Sequence, residues 1–347
     1  MFRHRYTVND SPPVVARIEK DLGTILETVQ RADPHLRSLV LTGGFARGEG
    51  AMLGGVPQND YDLLAIRSVG RPHRPYPEIR RELEKSIGLH IDLAPVPTWR
   101  LPWVSRSIFW YETALRGRVL SGPDLLSKIR IRDPAKIDPK EALRLLVNRS
   151  AGLLLSSETT DPYQRKLQAA KALLAALDVR LLATDQFLPS QHERWTLACD
   201  LRTQGLLPSD MEARWPWFSW AYNFKVDPET AAHRDARDVW FPAANAILGA
   251  VPYALKHAGM TTLEEYGVIG SIVDQVRYFF TSATIPGARR FAQHPTGSVR
   301  VATLRLLESS LNGIVAPHAA KTYLGSLANI GEHPLSALEA LRGATLQ

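Results

Sequence analysis

Three aspartates and a pair of glycines are the residues whose types and spacing in this chain can do chemistry. In NDYDLLAI, Asp60 and Asp62 stand two apart at the head of an apolar run. On a strand, positions i and i+2 share a face, about 6.5–7 Å apart along the backbone, with Tyr61 and Leu63 on the other face. Carboxylates held so close repel, and a fold normally avoids this unless a cation sits between them. Mg²⁺, or Mn²⁺ in its place, suits such a pair, taking oxygen ligands from carboxylates and substrate phosphates together. Asp92 in LHIDLAPV has the same texture, one acid inside an otherwise apolar strand. It is a third carboxylate, able to ligate a second metal and to accept a proton from an attacking hydroxyl.

Gly43-Gly44 closes the preceding apolar run, LRSLVLT at 36–42, and opens a short helix. Without a Cβ, a phosphate can approach closely, and helix-terminal N–H groups point at it. Anion cradle and metal carboxylates thus come from adjacent elements, the pairing that phosphoryl transfer needs. Arg47, in the first turn of that helix, reads equally as a ligand of a β- or γ-phosphate and as a solvated helix arginine. Asn59, just before the aspartates, can hydrogen-bond a phosphate or the neighbouring backbone. Lys166 and Lys171 lie off the apolar stripe of Leu167, Ala170, Leu174, Leu177 and Leu181, where they either lean onto a triphosphate or are simply solvated.

The elements that must position these residues follow from periodicity. Val14, Ile18, Leu22, Ile25 and Val29 predict a helix over 14–32. Strands are expected at 36–42, 60–66 and 89–96, a helix at 77–87, and a loop at MLGGVPQ. After about residue 139 apolar residues recur every three to four positions, in windows at 140–157, 163–187, 229–258, 261–281, 298–313 and 318–342. The expected architecture is an α+β N-terminal domain with a small mixed sheet, residues 1–130, followed by an all-α helical domain, residues 139–347. The aromatic run WPWFSWAYNF at 215–224 reads as core or domain interface before it reads as a stacking surface.

The 347 residues suffice for two domains, and 45% hydrophobic with 22% charged residues is the balance of a globular chain. No run approaches 18 apolar residues, so no membrane partner is expected, and the charged N-terminus does not read as a secretory signal. The single cysteine, Cys199, excludes an internal disulfide framework and suits a reducing cytoplasm. A net charge of +7 favours phosphate-bearing partners, but the basic residues are spread along the chain and form no compact stripe. A P-loop would end in Gly-Lys-Ser/Thr where this run closes Gly-Glu-Gly-Ala, and the glycines at 43, 44, 48 and 50 do not fit a dinucleotide fingerprint. No histidine pair has zinc-ligand spacing, and Gly-x-Ser-x-Gly is absent.

On Gly43-Gly44, Asp60-Tyr61-Asp62 and Asp92, with GGFARGEG and the segment SIFWYETALRGRVLSGPDLL at 107–126, the sequence resembles the DNA polymerase beta-like nucleotidyltransferase superfamily, in its minimal and antibiotic-modifying branch. The resemblance covers residues 14–126 and implies a nucleotidyltransferase domain, a helix and short strand after the third aspartate, then a Leu-Leu helix. It implies Mg²⁺-dependent transfer of a nucleoside monophosphate from an NTP, ATP or another, to a hydroxyl acceptor on a small molecule, a protein or an RNA, with release of pyrophosphate. Two features depart from the pattern: fifteen residues separate Gly44 from Asp60, and Asn59 stands where serine is usual. The rival expectation is a non-catalytic nucleotide- or RNA-binding protein that keeps the fold.

Overall fold

The alternation in the first 120 residues builds a four-stranded mixed sheet, and the helical periodicity builds the layer beneath it. The computed structural model describes residues 6–266, except 9, 158, 230, 232, 233 and 264, and residues 296–312. It divides into two compact units. The first holds residues up to 138 together with 188–205 and 225–232; the second holds 139–187, 206–224 and the residues from 233 on.

In the first unit, α1 (Pro12–Ala32) starts with prolines in its first turn, where no N–H is missed, and buries Ile18, Leu22, Ile25 and Val29. Strand β1 (Leu36–Leu41) leads into the single-turn helix α2 (Gly43–Arg47). The segment expected as a loop is instead a small hairpin, β2 (Met52–Leu53) with β3 (Val56–Pro57), turned at Gly54-Gly55. Two-residue strands beside a glycine pair leave no alternation to read, so the sequence shows only a loop there. Strand β4 (Tyr61–Arg67) pairs antiparallel with β1. Helix α3 (Tyr76–Ile87) stops at Gly88, whose left-handed backbone closes the last turn onto the Glu84 carbonyl. It returns the chain to β5 (Ile91–Pro97), parallel to β4 as a β-α-β crossover requires. After α4 (Ile108–Arg116), β6 (Arg118–Ser121) completes the order β5-β4-β1-β6. The Leu-Leu helix expected next is a single 3-10 turn, Leu126–Lys128. Helix α7 (Gln191–Thr203) also belongs to this unit.

The core lies between α1, α3 and the sheet, where Leu39, Leu41, Leu63, Ala65, Ile79 and Ile91 interdigitate.

The second unit contains helices only, among the described residues: α5 (Glu141–Ser156), α6 (Pro162–Ala183), α8 (Ser209–Glu212), α9 (Trp215–Val226, whose last two residues fall in the first unit), α10 (Trp240–His257) and α11 (Thr296–Leu311). Helix α6 is buried almost all round from Ala169 to Leu182 and packs against α5 and α10. The described residues of 227–239 are turns rather than the start of α10, while the helical windows at 318–342 and over most of 261–281 lie outside the described residues. The aromatic run forms α9, with Trp215, Phe218, Trp220, Tyr222 and Phe224 buried. No described helix is long and apolar enough to cross a membrane.

Candidate active site

Strand register makes the site. Pairing of β4 with β5 sets Asp62 directly opposite Asp92. Neighbouring strands lie about 4.8 Å apart, and residues in register point to the same face. Each aspartate is half-buried between two buried apolar residues, Tyr61 and Leu63 for one, Ile91 and Leu93 for the other. The hydrophobic positions face the core and fix the alternation, so the aspartates are turned to the other side.

The glycine turn sits on this pair. Thr42 donates its N–H to the Asp62 carbonyl at 2.8 Å and its hydroxyl to the same oxygen at 3.2 Å. Gly43 follows with φ +64°, and a Cβ on it would lie 1.8 Å from the Asp62 Oδ2. Only glycine allows that backbone conformation at this distance from the carboxylate. Gly44, next to it, faces the Asn59 amide nitrogen, 3.3 Å from where its own Cβ would stand. The Asn59 Oδ1 accepts the Ala51 N–H at 2.6 Å, closing the base of the hairpin beside the glycine turn.

Tyr61, between the two aspartates of the motif, is the anchor. Its ring is buried and stacks on Phe45 of α2 at 4.9 Å between centroids, and its hydroxyl donates to Asp21 Oδ2 at 3.0 Å. Burial, and then the Asp21 carboxylate, push the phenol far above its ordinary range, so it stays a donor. Asp60 stands one residue ahead of β4 and is exposed. The structure therefore brings Asp62, Asp92, Gly43, Gly44 and Asn59 together, with Asp60 at the entrance to the strand.

Arg47 is not a solvated helix arginine. Its Nε pairs with Glu49 at 2.8 Å and its Nη1 with Glu112 of α4 at 2.9 Å. Burial opposes its charge, but Glu112 and Glu49 more than offset that, with Asp62 adding to them, and the guanidinium is held firmly protonated. Glu49 is buried too, which would raise its pKa; Arg47 and Lys225, with the His192 N–H, bring it down to about 2. Arg194 of α7 closes the network on the other oxygen of Glu112, at 2.9 Å, while also donating to the Leu188 carbonyl and Gln191. Glu49, Glu112 and Arg194 were not singled out in the sequence. An acid inside the apolar stretch IFWYETAL was the one available signal.

Lys166 and Lys171 lie on α6 in the second unit, both half-buried. Among the described residues, no three His, Cys, Asp or Glu side chains form a ready metal cage. The donor set nevertheless fits Mg²⁺, which is usually held by one or two carboxylates plus substrate phosphates and water rather than by an all-protein cage. Adjacent hard oxygens on Asp62 and Asp92, beside a turn that a Cβ would fill, are such a set. Comparison with protein-family models, with curated proteins and with solved structures finds no match to this chain.

Proposed function

We propose that the chain is a Mg²⁺-dependent nucleotidyltransferase, moving a nucleoside monophosphate from an NTP to a hydroxyl on a small molecule, a protein or an RNA. The observation that carries this reading is the register of Asp62 with Asp92 beneath the left-handed Gly43. In the reaction the acceptor oxygen forms a bond to the α-phosphorus, the bridging bond to the β-phosphate breaks, and pyrophosphate leaves.

Asp62 and Asp92, with Asp60 at the strand entrance, would hold the metal. When bound, Mg²⁺ (or Mn²⁺) neutralises charge on the phosphates and on the attacking and leaving oxygens. The backbone at Gly43-Gly44 gives the triphosphate room, since no side chain stands over it. Asn59 closes the base of the hairpin beside that turn. Arg47, kept charged between Glu49 and Glu112, fixes α2 behind the turn and adds positive potential beside Asp62. Asp92 takes the proton of the acceptor hydroxyl.

The test is release of pyrophosphate from labelled NTPs with Mg²⁺, with and without crude acceptor pools. Turnover should vanish in Asp60→Ala and Asp62→Ala. It should fall in Asp92→Ala while nucleotide binding survives. Nucleotide held without turnover in any pool, with aspartate changes altering affinity only, would make the chain a binding module instead.

A further inference from the structure

Two segments of the first unit, far from each other in sequence, fold into a basic aromatic surface. The 3-10 turn Thr98–Trp103 follows β5 and packs against the 3-10 turn Leu126–Lys128. Asp138 ties the ends together by donating its N–H to the Arg106 carbonyl at 2.6 Å, and the Arg106 guanidinium bonds the Lys136 carbonyl.

Leu101 is buried beneath this surface, and so are Ile129 and Ile131. The alternation in KIRIR therefore turns Lys128, Arg130 and Arg132 outward, and all three are exposed. Arg100 is exposed on the facing turn. Trp99 and Trp103 stand out among them at 64% and 72% exposure, where a tryptophan is ordinarily covered. The Arg130 guanidinium lies over the Trp103 ring, 5.2 Å from its centroid. A cation on one face leaves the other open and adds positive charge beside it. Four residues in a 3-10 turn separate the two indoles by about 8 Å along its axis, so each has room for a planar partner. Arg100 and Lys128 make no ion pair among the described residues.

We propose that this surface, built from Trp99, Arg100, Trp103, Lys128, Arg130 and Arg132, binds single-stranded nucleic acid. Its phosphates would meet the cations and its bases would stack on the indoles. Open π faces interleaved with exposed cations match a ligand that alternates π faces with negative charges. An acidic peptide would use the cations but leave two indoles in water. The surface lies at the far end of β5 from Asp92, about 20 Å away by strand rise, so it does not depend on the transferase reading.

The experiment uses the full chain and a fluorescein-labelled single-stranded oligouridylate, followed by fluorescence anisotropy. With about four phosphates engaged, affinity should fall about fiftyfold between 50 and 200 mM salt. Trp99→Ala and Trp103→Ala should each weaken binding about tenfold, and Trp103→Phe should restore most of the loss by keeping a ring. Both indoles are exposed, so the variants should melt with the parent, and melting curves check this. Undiminished binding in the double alanine variant would overturn the proposal. So would a salt-independent affinity, or binding to phosphatidylserine vesicles with none to the oligonucleotide, which would assign the surface to an acidic membrane instead.

Discussion

Gly43→Ala isolates the contact on which the site is built. The added Cβ would stand 1.8 Å from the Asp62 Oδ2, well inside the 3.4 Å at which ordinary van der Waals contact begins. Asp62 or the turn must therefore move by more than 1 Å, and a displacement of that size at a reacting centre costs about a hundredfold in rate. The φ of +64° adds a left-handed strain of about 1–2 kcal/mol for any residue with a Cβ. For a unit of this size that strain lowers the melting temperature by roughly 2–8 °C. Gly88→Ala is the matched control. Its φ is +79°, so it bears the same strain, but nothing lies within 4 Å of its Cβ position. In thermal denaturation followed by circular dichroism, Gly43→Ala should lose at least as much stability as Gly88→Ala, since it adds the contact with Asp62 to the same backbone strain. Only Gly43→Ala should lose pyrophosphate release from NTP. Equal activity in the two variants, or full turnover in Gly43→Ala, would refute the idea that this glycine exists to let the turn sit on the carboxylate.

Three further outcomes are expected. Glu49 titrates at about 2 in the fold against 4.5 ordinarily, so its contribution is complete above pH 4.5 and is lost as pH falls from there towards 2. That difference amounts to about 3 kcal/mol, and chemical denaturation at stepped pH should lose this acid-sensitive component in Glu49→Gln, which would itself be destabilised by about 1–3 kcal/mol because Arg47 keeps Glu112 but loses the charged partner on its Nε. Asp62→Asn keeps the shape that Gly43 rests on and removes a like charge facing Asp92, so melting should be unchanged or higher while nucleotide transfer is abolished; an unfolded variant would make Asp62 a structural residue. Tyr61→Phe keeps the stack on Phe45 but leaves Asp21 without that donor, and denaturant titration should show a loss of about 1–3 kcal/mol.

What could be read from the sequence was whatever depends on local periodicity. Helix α1, strands β1, β4 and β5 and helix α3 each carry an amphipathic or alternating pattern, and the structure has them within a few residues of their expected ends. The facing of Asp62 and Asp92 is different in kind. Alternation says that each points away from its apolar neighbours, but a slip of one residue between β4 and β5 would set Asp62 against Ile91 or Leu93. Only the folded β-α-β unit sets that register. The Arg47 network was less legible still, because Arg47 meets Glu112 across 65 positions and Arg194 meets Glu112 across 82. The basic surface escaped for the same reason: neither WRLPW nor KIRIR is a compact stripe until the two turns pack together.

Two charged groups of the first unit are treated in opposite ways, and the contrast is the one expected between scaffold and site. Arg47, Glu49, Glu112 and Arg194 are largely buried, and each takes partners of opposite sign with bond lengths of 2.8–2.9 Å. Such a set is costly to break and holds α2, α4 and α7 in one arrangement. Asp62 and Asp92 are like charges placed in register, half open to solvent, and the fold presses a glycine in an unusual conformation against one of them. Stability alone would favour an apolar pair at these two positions, as at every neighbouring rung of β4 and β5 from Leu63 to Val96. Locally unfavourable arrangements of this kind persist where they serve a ligand. A charge-matched network on one side of the turn and two like charges in register on the other are the arrangement expected if the turn and the aspartates serve a cation and the phosphates it accompanies, as proposed.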